Sequence, residues 1–450
     1  MSRLGKWGQY SVAELQDAGS LLVEDGNHGE YRPLPHEFSL IGVSFIRATD
    51  LGAGNVQFGS ASRINGTARA RIRKGIGAGG DVILSHKGTV GKIAFAPLDC
   101  EPFVCSPQTT FWRSLDQGAI DRRYLYYYLC SDDFRRQLDA RKGETDMADY
   151  VSLTAQRELR VCLPPIEEQR SIGCILGGLD DKIELNRRMN QTLESMARAI
   201  FRSWFVDFDP VVAKAAGRQP FGMSAEVAAL FRSHFQGSPL GPIPRGWKVE
   251  PIGEVVSCVG GATPSTTEPK FWDGGTHHWA TPRDFASLQS PILLDTERKI
   301  TDAGVARISS GLLPAGTLLL SSRAPIGYLA IAAMPVAINQ GFIALKCNER
   351  ASNFFLLNWC QTNMAEIEGR ATGTTFAEIS KQNFRPILLA VPPKDLMTIF
   401  TSNVAALYHR ITTNLRQSRT LAALRDTLLP KLMSGELRVR DAEKLAGSHV

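Results

Sequence analysis

From Glu167 to Phe205 the chain carries no proline, and apolar side chains fall at Ile172, Leu176, Leu179, Ile183, Leu193, Ile200 and Trp204. Steps of three and four are the ladder of a coiled-coil seam, so one long helix with a single apolar stripe is expected. Moving each rung 228 positions along the chain lands on Phe400, Val404, Leu407, Ile411, Leu421, Leu428 and Leu432. A second helix of the same design follows. Two rungs are polar in each copy, Asn186 and Asn190 in the first, Asn414 and Ser418 in the second. An asparagine in a seam fixes register and orientation at some cost in stability. Its recurrence on the same rung favours that role over mere tolerance. At ~1.5 Å per residue, about 38 residues would span about 57 Å, and two such helices can pack antiparallel. Pro430, late in the second helix, should kink or end it.

Ahead of each helix lie about 150 residues of short apolar runs broken by Gly and Pro. Asp81–Leu84, Phe103–Cys105, Leu318–Leu320 and Phe342–Leu345 read as strands, and Arg123–Leu138 as a helix. This part is also duplicated. Gly80–Ser85, ending at Val90-Gly91, returns as Gly316–Ser321, ending at Ile326-Gly327; Ser106-Pro107-Gln108 returns as Asn339-Gln340-Gly341; Leu163-Pro164-Pro165 returns as Val391-Pro392-Pro393. The expected fold is mixed α/β (α+β): a tandem globular domain, each copy followed by a long helix, the helices forming an antiparallel coiled-coil spacer. The boundaries read as 1–165 and 241–393 for the globular domains, 166–208 and 394–435 for the helices, 209–240 for a linker and 436–450 for a tail.

Composition narrows this only a little. The 450 residues are 43% hydrophobic, with 51 Lys+Arg against 45 Asp+Glu and a net charge of +6. A histone-like polycation and an acidic tail protein are excluded, but a DNA-binding face is not, since binding depends on where charge sits. No apolar run approaches a membrane span, and the first residues lack the apolar core of a signal peptide. Eight scattered cysteines without a C-x-x-C pair suggest a reducing cytoplasm rather than a disulfide framework or a metal site.

Catalytic motifs fail on context. Gly75–Gly80 matches G-x-G-x-x-G, but a strand-like run follows where a helix is needed, so it reads as a flexible turn. Gly88–Lys92 lacks the first glycine and the final Ser/Thr of a phosphate loop. The double prolines have neither the polar acceptor nor the stacking ring that base-amine chemistry requires, and read as end-stops before the helices. His277-His278 is an isolated pair, better read as structural. No nucleophile elbow, H-E-x-x-H or His/Cys nucleophile pair is present.

The basic clusters remain. Arg63, Arg69, Arg71, Arg73, Lys74, Lys87 and Lys92 surround one acid, Asp81, and are interleaved with Gly, Ser and Thr such as Thr89. Such a stretch suits phosphate contact, or equally a solvated loop. Its counterpart is less basic, with Arg307 and Arg323. Arg47-Ala48-Thr49-Asp50 and Thr281-Pro282-Arg283-Asp284 hold groups able to read base edges, Arg for guanine, Asp for the cytosine amine and Thr for either, or able to form buried ion pairs. The candidate DNA contacts are thus Arg47, Thr49, Arg71, Arg73, Lys74, Lys87, Thr89, Arg283 and Arg323, with no metal or catalytic residue.

The chain resembles the specificity subunits of Type I restriction–modification systems. The resemblance is carried by Leu163–Arg170 (LPPIEEQR), Leu179–Asn186 (LDDKIELN), Leu193–Ala197, Phe201–Phe208 (FRSWFVDF), Pro242–Trp247 (PIPRGW) and Leu424–Leu437 (LRDTLLPKLMSGEL). The first domain lacks the Pro-x-Gly-Trp opening, and Ala324-Pro325 replaces a Gly-Thr in the second. The resemblance implies two target recognition domains, each reading half of a split, asymmetric double-stranded DNA site. The helices would set the gap and dock two methyltransferase subunits, with restriction–translocase subunits joining the complex. It also implies that this chain is no enzyme and binds no cofactor itself, S-adenosylmethionine and ATP belonging to partners. A coiled-coil adaptor that never touches DNA and a stand-alone enzyme are the rival readings.

Overall fold

The computed structural model describes residues 7–52, 54–142, 149–373 and 377–447. It divides into two units, Met1–Ile183 with Arg419–Val450, and Glu184–Ser418. Each unit takes a segment from both long helices, which run Ile166–Phe205 and Lys394–Met433.

In the first unit a six-stranded sheet runs in the order Leu21–Asp25, Thr109–Ser114, Val82–Ser85, Ile93–Phe95, Asn55–Val56, Leu51–Gly52. Beside it lies a five-stranded sheet ordered Phe38–Ser39, Ser62–Ile64, Val43–Ile46, Phe103–Cys105, Ile76–Gly77. The run Val82-Ile83-Leu84 shows why no polar alternation marked these strands. Val82 and Leu84 pack with Leu176 and Leu179 of the long helix, while Ile83 packs with Ile46, Phe103 and Phe111. Both faces are covered, so both parities are apolar. The second unit repeats the device: Leu318 and Leu320 join Phe355 and Phe400, and Leu319 joins Ile338 and Phe342. Its sheets are Ser257–Gly260, Phe342–Lys346, Leu318–Ser322, Ile326–Ala332, Ile292–Leu293, and Arg298–Ile300, His277–Ala280, Val336–Ile338.

The seam is buried as the ladder requires. In the first unit Ile172, Leu176 and Leu179 lie in one core with Leu421 and Leu428, and Ile183 is packed against it. In the second, Val404 and Ile411 are buried in the same core as Ala197 and Phe201, with Leu193, Ile200 and Leu407 at its edge. The polar rungs meet across the pair. Asn186 Nδ2 donates to Ser418 Oγ (3.2 Å) and Gln417 Oε1 (3.0 Å), and Asn414 Nδ2 donates to Asn190 Oδ1 (2.8 Å). Farther along, Phe400 packs on Trp204 and Phe205, with ring centroids 6.0 and 4.8 Å apart. Numbers rise on one helix as they fall on the other, so the helices are antiparallel. In the first unit Arg425 Nη1 donates to Asp180 Oδ1 (2.6 Å), and Tyr127 donates its hydroxyl proton to Asp180 Oδ2 (2.5 Å).

Several local expectations change. The helix expected over Arg123–Leu138 is two, Arg122–Cys130 and Asp132–Asp139, because Ser131 is extended and its Oγ accepts from Phe134 N–H as an N-cap. Within Gly75–Gly80, Ile76–Gly77 forms a short strand against Phe103 and Val104, so the segment is only partly a turn. The stretch read as a linker holds helices Asp209–Ala215 and Ala225–Ala229, and its Val211 and Phe231 enter the second unit's core. Pro430 does not end its helix, which continues to Met433 and stops at Gly435 (φ 67°). The missing Pro430 N–H sits on an exposed turn, where solvent can satisfy the orphaned carbonyl.

Candidate nucleic-acid interface

In the first unit, Val43–Ile46 and Phe103–Cys105 are parallel neighbours, so the chain leaves both at one edge of the sheet. The first strand runs into the Arg47–Asp50 turn, the second into the Ser106–Gln108 loop. Ser106 N–H and Thr109 Oγ1 both donate to the Ile46 carbonyl, at 2.8 and 3.2 Å. His86 N–H donates to the Gln108 carbonyl at 2.9 Å, and Lys92 Nζ to the Ala48 carbonyl at 3.2 Å. Arg47 and Lys87, far apart in sequence, therefore each follow a residue bonded to this loop, and Thr49 follows the Ala48 that Lys92 holds; no contact among the described residues places Thr89 at the loop.

On the loop's other side, Gly26 N–H donates to the Thr109 carbonyl at 3.1 Å. A Cβ at Gly26 would lie 2.1 and 2.3 Å from the carbonyl oxygens of Cys105 and Ser106, so only glycine fits. Beyond it, Asn27–Tyr31 and Arg73-Lys74 enclose an open cleft of about 660 Å³. His28 is buried there. Its Nε2 donates to the Cys105 carbonyl at 2.9 Å, while Nδ1 is buried without a hydrogen-bond partner among the described residues. Burial lowers the imidazole pKa, which keeps the ring neutral at pH 7.

The basic residues of this face divide by partner. Arg71 is committed: its fork donates to both oxygens of Glu37, at 2.8 and 2.6 Å, and to the Arg32 carbonyl at 3.2 Å. That guanidinium holds the Glu37 carboxyl down at about 2. Lys74 pairs with Asp25 at 3.3 Å, and Arg47 Nε lies 3.5 Å from Asp50. Arg73 and Lys87 have no carboxylate partner among the described residues and lie over the rings of Tyr31 and Tyr150, each 5.8 Å from the centroid. An aromatic face beneath a cation is also a surface on which a base can stack. Neither tyrosine was singled out from sequence, because each meets its cation only through the fold.

The second unit carries the same frame. His277–Ala280 and Val336–Ile338 are parallel neighbours, and Asn339 N–H donates to the Ala280 carbonyl at 3.0 Å. Gly261 stands as Gly26 does, its absent Cβ 1.9 and 2.5 Å from the Ile338 and Asn339 carbonyl oxygens. Thr263 Oγ1 donates to Gln340 Oε1 at 2.5 Å. Arg283 is 83% exposed and 3.5 Å from Glu297; Arg323 lies 3.5 Å from Glu378. His277 pairs with Asp302 at 2.7 Å, and His278 lies 3.2 Å from Asp295, so each histidine has its own acid.

Of the two readings open for Asp50 and Asp284, base edge or local pairing, the geometry favours the second in both units. Asp50 Oδ2 accepts from Arg47 N–H at 2.8 Å, and Asp284 Oδ2 accepts from Thr281 N–H at 2.7 Å. Asp284 Oδ1 also accepts from Glu297 N–H at 2.7 Å. Each aspartate closes its own turn by accepting the backbone N–H three residues before it, while its own N–H donates to that residue's carbonyl.

The family model for the Type I restriction modification DNA specificity domain matches the chain twice, over residues 42–195 and 244–398. The chain belongs to the Type I restriction–modification specificity-subunit family. Both matched stretches contain the parallel strand pair with its two loops and run into a long helix. The HindI specificity subunit of Haemophilus influenzae is 26% identical over 422 residues, 83% of this chain and 88% of that one. The MjaIX specificity subunit of Methanocaldococcus jannaschii is 34% identical over 174 residues, 38% of this chain and 40% of that one. A Type I S subunit from M. genitalium shares the fold, with a TM-score of 0.58 at 14% identity, over 95% of this chain and 96% of that one. No helix among the described residues is long and apolar enough to cross a membrane.

Proposed function

We propose that this specificity subunit reads a bipartite, asymmetric double-stranded DNA site, each unit taking one half, and docks two methyltransferase subunits and the restriction–translocase subunits. It works in the cytoplasm and performs no catalysis; S-adenosylmethionine and ATP are held by the partners. One observation carries the reading. The same loop frame, built on a parallel strand pair and closed by Gly26 or Gly261, presents different polar side chains in the two units. A repeated frame with divergent contacts is what reading two different half-sites requires, since phosphate contacts position a domain and base contacts specify it. A protein-only adaptor has no use for that divergence.

Footprinting of the complex with its methyltransferase is the test. The expected result is protection of one split sequence, with affinity falling steeply as salt rises. Protection without sequence preference would refute it, and methyl transfer by the isolated chain would refute the non-catalytic role.

A further inference from the structure

Arg298 is the first residue of the strand Arg298–Ile300, and it stands opposite Trp279 in the neighbouring strand. That register puts it one residue from the end of His277–Ala280, beside the Thr281–Asp284 turn. Its guanidinium carbon lies 3.7 Å from the ring centroid of Trp272 and 5.3 Å from that of Trp279. The two indoles meet edge to face, centroids 4.9 Å apart. Their orientation is fixed, because Trp272 Nε1 donates to the Ser265 carbonyl (2.9 Å) and Trp279 Nε1 to the Ala262 carbonyl (3.3 Å). Arg298 is nonetheless exposed, and its side chain has no hydrogen bond or ion pair among the described residues. Arg283 and Arg323, by contrast, each lie 3.5 Å from a carboxylate.

We propose that Arg298, held over the Trp272 ring, is a specificity-determining residue that reads the acceptor pair of a guanine in the half-site taken by the second unit. The inference rests on the DNA-reading role proposed above. A guanidinium at stacking distance from a ring loses the freedom to swing but keeps its in-plane N–H donors, and those match guanine O6 and N7 as a bidentate pair. A phosphate is the poorer ligand here. It would meet Glu297 beside Arg298 and Asp284, which accepts the Glu297 N–H at 2.7 Å, and both carboxylates repel a second anion. Trp272 acts through Arg298 and is a positioning residue.

The experiment measures binding of the complex with its methyltransferase to a library varied at every base pair of its site, at two salt concentrations. Arg298→Ala is expected to cost about 5- to 150-fold at one G·C position of one half-site, equalising the bases there. The other half-site should keep its preferences, and the salt slope should hold. Arg298→Lys retains the charge but loses the fork, so it should relax the same position. Trp272→Leu should relax it partly and Trp272→Phe should restore it. Thermal melts of the four variants identify any that fail to fold. Unchanged preferences in Arg298→Ala would overturn the proposal. So would a uniform loss over all sequences with the salt slope reduced by about one, the mark of a phosphate contact. A wild-type complex without any sequence preference would instead overturn the DNA-reading role itself.

Discussion

The polar rungs of the helix pair allow a double-mutant cycle with an unusual sign. Asn190 and Asn414 are both buried, and Asn414 Nδ2 donates to Asn190 Oδ1 at 2.8 Å. Replacing Asn414 with leucine, close to it in volume, removes the donor and leaves the Asn190 oxygen buried without it. Leaving a buried polar group unsatisfied costs about 1–3 kcal/mol. Asn190→Leu should cost a similar amount by stranding the Asn414 amide. With both replaced, the polar group stranded by each single change is gone and apolar contact takes its place, so the double variant should lie near the wild type. The expected coupling is therefore favourable and about 1–3 kcal/mol, the upper range for residues in contact. Urea titration followed by the second unit's tryptophans reads this directly, the midpoint moving while the slope stays constant. Additive losses in the double variant would refute the bond's place in the seam. A second consequence concerns specificity, since a double variant that is stable but sluggish in assembly would mean the asparagines choose register.

Two further outcomes are expected. Burial raises the pKa of Glu194 against the opposing pull of Ser290 and Arg198, and its Oε1 is buried without a hydrogen-bond partner among the described residues. A carboxylic acid whose folded pKa is raised costs no stability below its unfolded pKa and progressively more as pH climbs through the folded value. Glu194→Gln should therefore match the wild type in thermal melts near pH 4 and exceed it near pH 8; equal melts at both would refute the assignment. Gly261→Ala places a Cβ 1.9 Å from the Ile338 carbonyl oxygen, a backbone clash that must shift the loop. Overpacking of this kind costs about 1–3 kcal/mol, read as a lowered melting temperature together with weakened DNA binding; an unaltered variant would refute the close approach.

What sequence could show depended on how local the cause was. The seam was legible because each rung announces its face through neighbours three and four positions away. The asparagines were legible as a device because the duplication printed them twice. The Asp50 and Asp284 caps were legible in principle, since Arg-x-x-Asp and Thr-x-x-Asp carry the spacing of a turn that caps itself, yet they drew attention as base readers instead. Arg71 read as a phosphate contact because Glu37, which occupies its fork, lies 34 positions away in the chain. Arg298 drew no attention at all. Trp272, which sets its geometry, lies 26 positions upstream on another segment, and no periodicity connects the two. Gly26 and Gly261 left a faint trace, a glycine directly after the strands Leu21–Asp25 and Ser257–Gly260, whose reason becomes visible only when the facing carbonyls are located.

The long helices also bear on how the molecule is made. The first unit draws on Met1–Ile183 and again on Arg419–Val450, with the 235 residues of the second unit between. Ile172, Leu176 and Leu179 must wait for Leu421 and Leu428, which share their core. At synthesis rates of about 5–20 residues per second, that wait on the ribosome is roughly 12–47 s. Throughout it the amino-terminal unit shows an unfilled apolar stripe to its surroundings. The second unit, by contrast, is continuous in sequence and can close as soon as Ser418 emerges. Birth order and folding order are thus reversed for the two units, and the segment that follows Ser418 completes the first.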